Sequence, residues 1–163
     1  MGCKNCGHVL TLPYPTDAQI SAHYEEGFEK GNYEVVRDNR HVYQSAMDLM
    51  AGWVNDALKA AKIEKTSLLD IGCFTGEFMV AMKNYGVDVY GVELQEGAAK
   101  IAEAKFPGKV SNKDITQDDR PYPERQFGIV SLLGVIEHVV DPRKLLEDSI
   151  SYCERGGLII LQT

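Results

Sequence analysis

Three acidic residues, each at the end of a short apolar run, are the residues of this chain whose types and spacing could do chemistry. Asp70 precedes a turn that contains Gly72 and Gly76. Glu93 lies 23 residues beyond Asp70, and Asp114 follows a third, shorter run. A carboxylate at a strand end can accept hydrogen bonds from ribose hydroxyls or from an adenine amino group. These acids therefore predict a site for a nucleoside ligand.

The turn after Asp70 differs from the pattern that binds dinucleotides. That pattern spaces its glycines as G-x-G-x-x-G, so that a pyrophosphate can approach the backbone. Here an acid comes first, and Phe74 lies between Gly72 and Gly76. The acid would repel a pyrophosphate and suits a ligand with a cationic amino group. A nicotinamide-dependent oxidoreductase is therefore a weaker alternative.

Each of these features also has a purely structural interpretation. Residues 70–76 could form a strand-to-helix turn that binds nothing, and Glu93 could be a solvated strand end. For Asp114 the two interpretations are nearly even, because the third strand is short and its register is uncertain.

The hydrophobic pattern predicts the elements that position these acids. From Thr66 onward, runs that are apolar on both faces alternate with helical segments, which is typical of an α/β fold with a mostly parallel sheet and helices on both faces. We expect strands at 67–71, 87–92, 109–111, 127–133 and 158–161, and helices at 77–84, 96–105 and 142–152.

A helical segment is predicted before the sheet, over residues 16–65. Thr16 or Asp17 is expected to cap a helix that runs to about Lys30, and apolar residues recur at three- to four-residue spacing over 37–61. Residues 1–15 contain Pro13 and Pro15 and are expected to be extended. The expected organisation is thus 1–15, 16–65 and 66–163.

Taken together, the motifs in residues 66–163 resemble those of class I S-adenosylmethionine (SAM) dependent methyltransferases. Residues 70–76 resemble the first motif of that family, and Glu93 and Asp114 its second- and third-strand acids. The string Glu-His-Val-Val-Asp-Pro at 137–142 is similar to that of small-molecule methyltransferases, such as those acting on ubiquinone precursors and sugars. The resemblance implies a Rossmann-like fold and a SAM site. The residues it assigns to SAM are Asp70, Gly72, Cys73, Phe74, Gly76, Glu93, Leu94, Asp114, Ile115 and Leu133.

The function that the resemblance implies is SAM-dependent O- or C-methylation of a small molecule, with a sugar or quinone-like acceptor. His138 is a candidate general base, although the pattern favours a histidine that orients its loop. Two positions depart from the family. Phe74 stands where relatives usually have another glycine, and Gly134 stands where many carry an acid, which weighs against a metal-assisted mechanism.

The sequence ends near the expected end of the fifth strand, so the family's last two strands are expected to be missing. A SAM-binding fragment without turnover is therefore the main alternative. An incomplete sheet leaves an unpaired edge, which predicts a homodimer or poor solubility.

The first residues are similar to half of a zinc ribbon that precedes the catalytic domain in one subgroup of the family. Cys3 and Cys6 form one Cys-x-x-Cys pair, and His8 could add a third ligand. A closed zinc site needs four ligands, so we expect no bound metal. Tyr24, Phe28 and Tyr33 could cover the cofactor or could pack on the sheet edge.

The composition excludes some classes of partner. The formal net charge is −7 and the basic residues are scattered, which argues against a nucleic-acid substrate. No apolar run is long enough to span a membrane and no signal peptide is evident. We therefore expect a cytoplasmic protein without a membrane partner.

Overall fold

Three helices precede the sheet. The computed structural model describes residues 4–7, 13, 15–27, 30–31, 33–63 and 66–163. The helices are α1 (Asp17–Gly27), α2 (Tyr33–Asp38) and α3 (Arg40–Ala60). Thr16 caps α1, because its Oγ1 accepts a hydrogen bond from the Gln19 N–H (3.3 Å) and its own N–H donates to Gln19 Oε1 (2.9 Å). This reciprocal capping box confirms Thr16 as the cap.

Five parallel strands form one sheet in the order β3-β2-β1-β4-β5. This confirms the predicted α/β fold. The strands are β1 (Ser67–Ile71), β2 (Asp88–Val92), β3 (Val110–Ser111), β4 (Phe127–Leu133) and β5 (Cys153–Gln162). The connecting helices are α4 (Glu77–Lys83), α5 (Glu96–Lys105) and α6 (Pro142–Ser151), and a short 3₁₀ helix spans Ile136–His138.

Both faces of the sheet are buried, as the continuous apolar runs predicted. Leu68 faces a core cluster formed with α3, α4 and α5, whereas its neighbour Leu69 faces a second cluster that includes Leu145 of α6 and Tyr152. Alternate residues of β1 thus anchor helices on opposite faces. This two-sided burial fixes the carboxyl ends of the central strands, where the candidate site lies.

The last strand is longer than its apolar run predicted. It begins at Cys153, directly after α6, and pairs with Phe127 before the register shifts and pairing resumes between Leu158 and Ile129. The glycines at 156–157 lie within this irregular part of β5. A local bulge of this kind adds residues to one strand without breaking the sheet.

One edge of the sheet carries exposed apolar side chains. Among the described strands, none pairs with the outer edge of β5. Trp53 of α3 is 63% exposed and Leu161 of β5 is 48% exposed. A groove of about 300 Å³ separates α3 from β5.

No described helix is both long enough and apolar enough to span a membrane. A cytoplasmic location and the exclusion of nucleic acid stay predictions.

Candidate functional site

The loop between β1 and α4 turns sharply at the carboxyl edge of the sheet. Gly72 and Gly76 have φ angles of +73° and +85°. The N–H groups of Gly72 and Cys73 both donate to the carbonyl oxygen of Val92, at 2.8 and 3.0 Å. A Cβ atom at Gly72 would lie 2.4 Å from Cγ2 of Val135. Gly72 is therefore required both by its backbone angle and by the approach of the loop after β4.

Phe74 has a left-handed backbone conformation, with a φ angle of +48°. Glycine adopts this conformation without steric cost, whereas other residues are strained in it. This explains why a glycine would be expected at position 74. The Phe74 N–H donates a 2.9 Å hydrogen bond to Oε2 of Glu93, so the strained conformation aims this donor at the second-strand acid.

Glu93 is half-buried and is held by backbone donors on two sides. Its Oε2 accepts from Phe74, and its Oε1 accepts from the Gln95 N–H at 2.8 Å. Burial raises the pKa of Glu93, opposed by these backbone hydrogen bonds and reinforced by the nearby charge of Glu25. Within the described ranges Glu93 has no ion-pair partner. Each oxygen therefore keeps a lone pair for a further donor.

Asp70 lies beneath the same loop and is only 2% exposed. The parallel register places it opposite Ser131 of β4, and the Ser131 hydroxyl donates a 2.6 Å hydrogen bond to Oδ1 of Asp70. Burial raises the pKa of Asp70 from 3.8 to about 7, the bond from Ser131 opposes the rise, and the charges of Glu93 and Glu77 add to it. No described side chain forms an ion pair with Asp70.

The remaining predicted cofactor residues differ in how far they reach the surface. Asp114 Oδ1 accepts hydrogen bonds from the N–H and hydroxyl of Thr116, both at 2.8 Å, so one of its oxygens already stabilises the turn. Ile115 is 2% exposed and packs in the second core cluster. Leu94 is 55% exposed, and Leu133 packs partly buried against the first cluster. Their contact with a cofactor stays a prediction.

Cys73 is buried in the loop, and burial raises the pKa of its thiol. Its Sγ would lie 2.6 Å from a Cβ atom at Gly91, so it packs tightly against β2. Cys73 therefore has the environment of a packing residue and not of a nucleophile.

His138 ends the short 3₁₀ helix after β4 and is exposed, as is Glu137 beside it. The His138 N–H donates to the Val135 carbonyl (3.0 Å), which closes the turn. The same loop is tied to β5, because the Gly134 N–H donates to the Gln162 carbonyl (2.8 Å). His138 thus lies at the carboxyl edge of β4, near the loop that carries Phe74, and its catalytic role stays a prediction.

Sequence reasoning missed three residues that organise the site. Ser131 is a single polar residue within an apolar strand, and that signal could have marked it as the partner of a buried acid. Gln95 precedes α5 at the N-cap, where its Oε1 accepts from the Ala98 N–H (2.6 Å). Glu25 of α1 accepts a 2.8 Å hydrogen bond from Gln95 Nε2, and no sequence signal connects residues 70 positions apart.

No group of three or more potential metal-ligating side chains occurs within the described ranges. Cys6 is exposed and free. Cys3, His8 and Phe28 lie outside the described residues, as do the side chains of Tyr24 and Tyr33. The ribbon-like segment and the aromatic cover therefore stay predictions.

Residues 28–163 match the family described as "Methyltransferase domain". The chain is 28% identical over 117 residues to the ubiquinone biosynthesis O-methyltransferase of Bordetella avium. The aligned region covers 68% of this chain and 47% of that relative. It is 33% identical over 109 residues to the protein of the same name from Maricaulis maris, covering 61% of this chain and 41% of the relative. The chain spans about half the length of the curated relatives it matches.

Solved structures of methyltransferases share the fold. The sugar N-methyltransferase KedS8 from a Streptoalloteichus species superposes with a TM-score of 0.65 at 25% identity, over 79% of this chain and 52% of that one. The SAM-bound amino pentose methyltransferase CalS10 from Micromonospora echinaspora gives a TM-score of 0.62 at 20% identity, over 94% and 58%.

Proposed function

The chain belongs to the methyltransferase-domain family, and from that premise we propose that it binds SAM at the carboxyl edge of β1 and β2 and methylates a small molecule. The observation that carries this proposal is the pair formed by Asp70 and Glu93. Both are carboxylates with raised pKa values that lie beside one glycine-containing loop, and neither has an ion-pair partner in the described part of the chain.

The residues present fit a ligand with the chemistry of SAM. The ribose of SAM carries two hydroxyl donors, and Glu93 keeps one lone pair on each oxygen to accept them. The methionyl amino group is cationic, and the negative charge of Asp70 beneath the loop stabilises a cation there. One oxygen of Asp114 is engaged by Thr116, which leaves the other for an adenine amino group.

The proposed roles of the protein's own groups are binding, alignment and proton removal. SAM, when bound, supplies an electrophilic methyl group on a sulfonium. The loop of Gly72 and Phe74 and the carboxylate of Glu93 form one hydrogen-bonded unit that orients the ligand. His138, at the adjacent edge of β4, accepts the proton of a hydroxyl nucleophile.

A hydroxyl-bearing small molecule is the acceptor that the curated relatives favour. The curated relatives named above are O-methyltransferases of ubiquinone biosynthesis, whereas the structural relatives include a sugar N-methyltransferase, which supports a sugar acceptor but not a hydroxyl nucleophile. We propose O-methylation, with a quinone-like or sugar acceptor, and C-methylation as the second possibility. No metal-dependent step is included, because Gly134 offers no ligand and no metal-binding cluster occurs within the described ranges.

We also propose that the chain self-associates through the outer edge of β5. The exposed Leu161 and Ile159 of that edge and the neighbouring Trp53 support this proposal. Unpaired edge strands with apolar side chains favour pairing with another chain.

The test is calorimetric titration with S-adenosylhomocysteine, the demethylated product of SAM. We expect wild-type protein to bind it and to show no binding of NADH. Glu93→Gln should weaken binding by about 10-fold or more, because a carboxamide accepts with one atom where the carboxylate accepts with two. Glu124→Gln, which changes an exposed acid outside the site, is the matched control and should bind as the wild type does.

Absence of binding to a chain that circular dichroism shows to be folded would overturn the proposed site. If NADH bound instead, the oxidoreductase alternative would be correct. Transfer of a labelled methyl group from SAM to a catechol or to an amino sugar would separate an active enzyme from a domain that only binds SAM.

A further inference from the structure

Helix α1 is attached to the sheet domain beside the second-strand acid. Glu25, near the end of α1, contacts the first residues of α5 with both carboxylate oxygens. Its Oε2 accepts from Gln95 Nε2 at 2.8 Å, and its Oε1 accepts from the Glu96 N–H at 3.4 Å. The N-cap residue of α5, Gln95, follows Glu93 by only two residues. The end of α1 therefore docks at the edge where the ribose is proposed to bind.

Gln95 connects this docking contact to the site through three hydrogen bonds. Its N–H donates to Oε1 of Glu93 (2.8 Å), its side-chain oxygen caps α5 by accepting from Ala98 (2.6 Å), and its side-chain nitrogen donates to Glu25. The orientation of Gln95 thus depends on both acids. Gln95 therefore links α1 to the backbone donor that holds Glu93.

The contact between α1 and the start of α5 brings two negative charges close together. Glu25 and Glu93 are like charges close enough for Glu25 to raise the pKa of Glu93. Docking of α1 therefore adds a like-charge repulsion against the Glu93 carboxylate that is absent when the helix is not docked. Ribose hydroxyls that donate to Glu93, together with a cationic amino group at Asp70, offset this repulsion.

We propose that Glu25 and Gln95 are positioning residues that hold α1 against the nucleoside end of the SAM site, so that ligand binding and docking of α1 strengthen each other. This inference rests on the proposed function. Because coupling between two equilibria is reciprocal, a ligand that favours the docked helix must bind more tightly when the helix is docked. The same ligand must protect α1 from local opening.

The test uses a donor–acceptor exchange at the contact. Gln95→Glu places a carboxylate against Glu25 and can still cap α5, but it also adds a negative charge beside Glu93. The exchanged pair described next keeps that charge at position 95, so only the loss that the pair recovers is assigned to the contact with α1. Glu25→Gln combined with Gln95→Glu restores one donor and one acceptor with the roles reversed. Glu26→Gln is the matched control, since the exposed Glu26 carboxylate pairs with Lys30 of its own segment.

Two quantities are measured for each protein: the dissociation constant of S-adenosylhomocysteine, and the hydrogen exchange of residues 17–27 with and without it. We expect Gln95→Glu to raise the dissociation constant about 10-fold and to abolish ligand-dependent protection of α1. The exchanged pair should recover both toward wild-type values, and Glu26→Gln should leave both unchanged.

Three outcomes would overturn the inference. If the wild type binds but α1 exchanges equally with and without ligand, α1 is not coupled to the site and the proposed function stands. If the exchanged pair fails to recover what Gln95→Glu loses, Gln95 acts through Glu93 alone. If the wild type does not bind at all, the proposed function fails together with the inference.

Discussion

The amide N–H of Phe74 donates a 2.9 Å hydrogen bond to Oε2 of Glu93. This bond joins the loop after β1 to the acid after β2, 19 residues further along the chain. It forms because Phe74 takes a left-handed backbone conformation. The cost of that conformation is local, whereas its benefit is a fixed carboxylate at the edge of the sheet.

Replacing Phe74 separates the backbone strain from the contribution of the ring. Phe74→Gly and Phe74→Ala both remove the ring, but only glycine accepts a φ angle of +48° without strain. We expect the glycine variant to be more stable than the alanine variant by about 1 kcal/mol, after allowance for the greater unfolded-state entropy of glycine. Urea unfolding of the two variants measures the difference. Equal stability would show that the loop relaxes out of the left-handed conformation.

The raised pKa of Asp70 predicts how stability depends on pH. Because the pKa of this acid is about 7 in the folded chain, well above its ordinary value, the folded state binds more protons than the unfolded state between about pH 4 and pH 7. Stability should therefore be highest below this window, fall as pH rises through 7, and level off above 8. The loss from this group is on the order of 4 kcal/mol at most.

Asp70→Asn should remove this dependence. The asparagine oxygen can still accept from Ser131, and a neutral side chain pays no ionisation penalty. The variant should match the wild type below about pH 4, exceed its stability at pH 5 and exceed it most at pH 8, as measured by urea unfolding at the three values. Asp118→Asn, at an exposed acid, is the control and should follow the wild-type profile. A parallel profile for Asp70→Asn would show that Asp70 is ionised throughout.

Ligand binding should favour the ionised form of Asp70, whereas burial in the free protein favours the protonated form. A cationic amino group near Asp70 favours its carboxylate form, so binding of S-adenosylhomocysteine near pH 6 should release a proton. Affinity should rise with pH up to about 7 to 8, and proton release should disappear at higher pH, where Asp70 is already ionised. Titrations in buffers of different ionisation enthalpy measure the release. Asp70→Asn should bind more weakly and release none; equal release from this variant would assign the proton to another group.

The sequence was sufficient for the features that depend on local pattern. The strand at 127–133 and the helix at 96–105 were placed at their observed bounds, because continuous apolar runs and helical spacing are local signals. The start of β5 at Cys153 was missed. There the chain pairs with β4 through a polar, glycine-containing stretch that has no strand signal of its own, so tertiary pairing decides its structure.

In the candidate site, too, some features follow from local sequence pattern and others only from tertiary contacts. Asp70 and Glu93 could be identified by their positions after apolar runs, but the states of both acids depend on partners brought by the fold. Ser131 reaches Asp70 only through the register of β1 and β4, and Glu25 reaches Gln95 only through the docking of α1. Contacts between residues this far apart in sequence leave no periodic trace, so a single sequence cannot predict them.

Substitution of His138 tests its proposed role as a base. His138→Gln retains a polar side chain but cannot accept a proton near neutral pH. We expect methyl transfer to a hydroxyl acceptor to fall at least about 100-fold in kcat, with the affinity for S-adenosylhomocysteine within about 2-fold of wild type. The separation of kcat from binding is the informative result. If binding falls in parallel with kcat, His138 orients the loop after β4 and is not a base.

The outer edge of β5 provides the test of self-association. Its side chains at Ile159 and Leu161 are partly exposed, and no described strand pairs with that edge, so wild-type protein should show concentration-dependent association in sedimentation velocity. Leu161→Lys introduces a charge that a paired edge would have to desolvate, and it should shift the equilibrium toward monomer. Ile150→Lys is the matched control, because Ile150 is a similarly exposed apolar residue on α6 and not on the edge. An equal shift in both variants would mean that general solubility, and not pairing of β5, governs association. If the wild type stays monomeric at high concentration, the dimer proposal is wrong, and the proposed SAM site is unaffected.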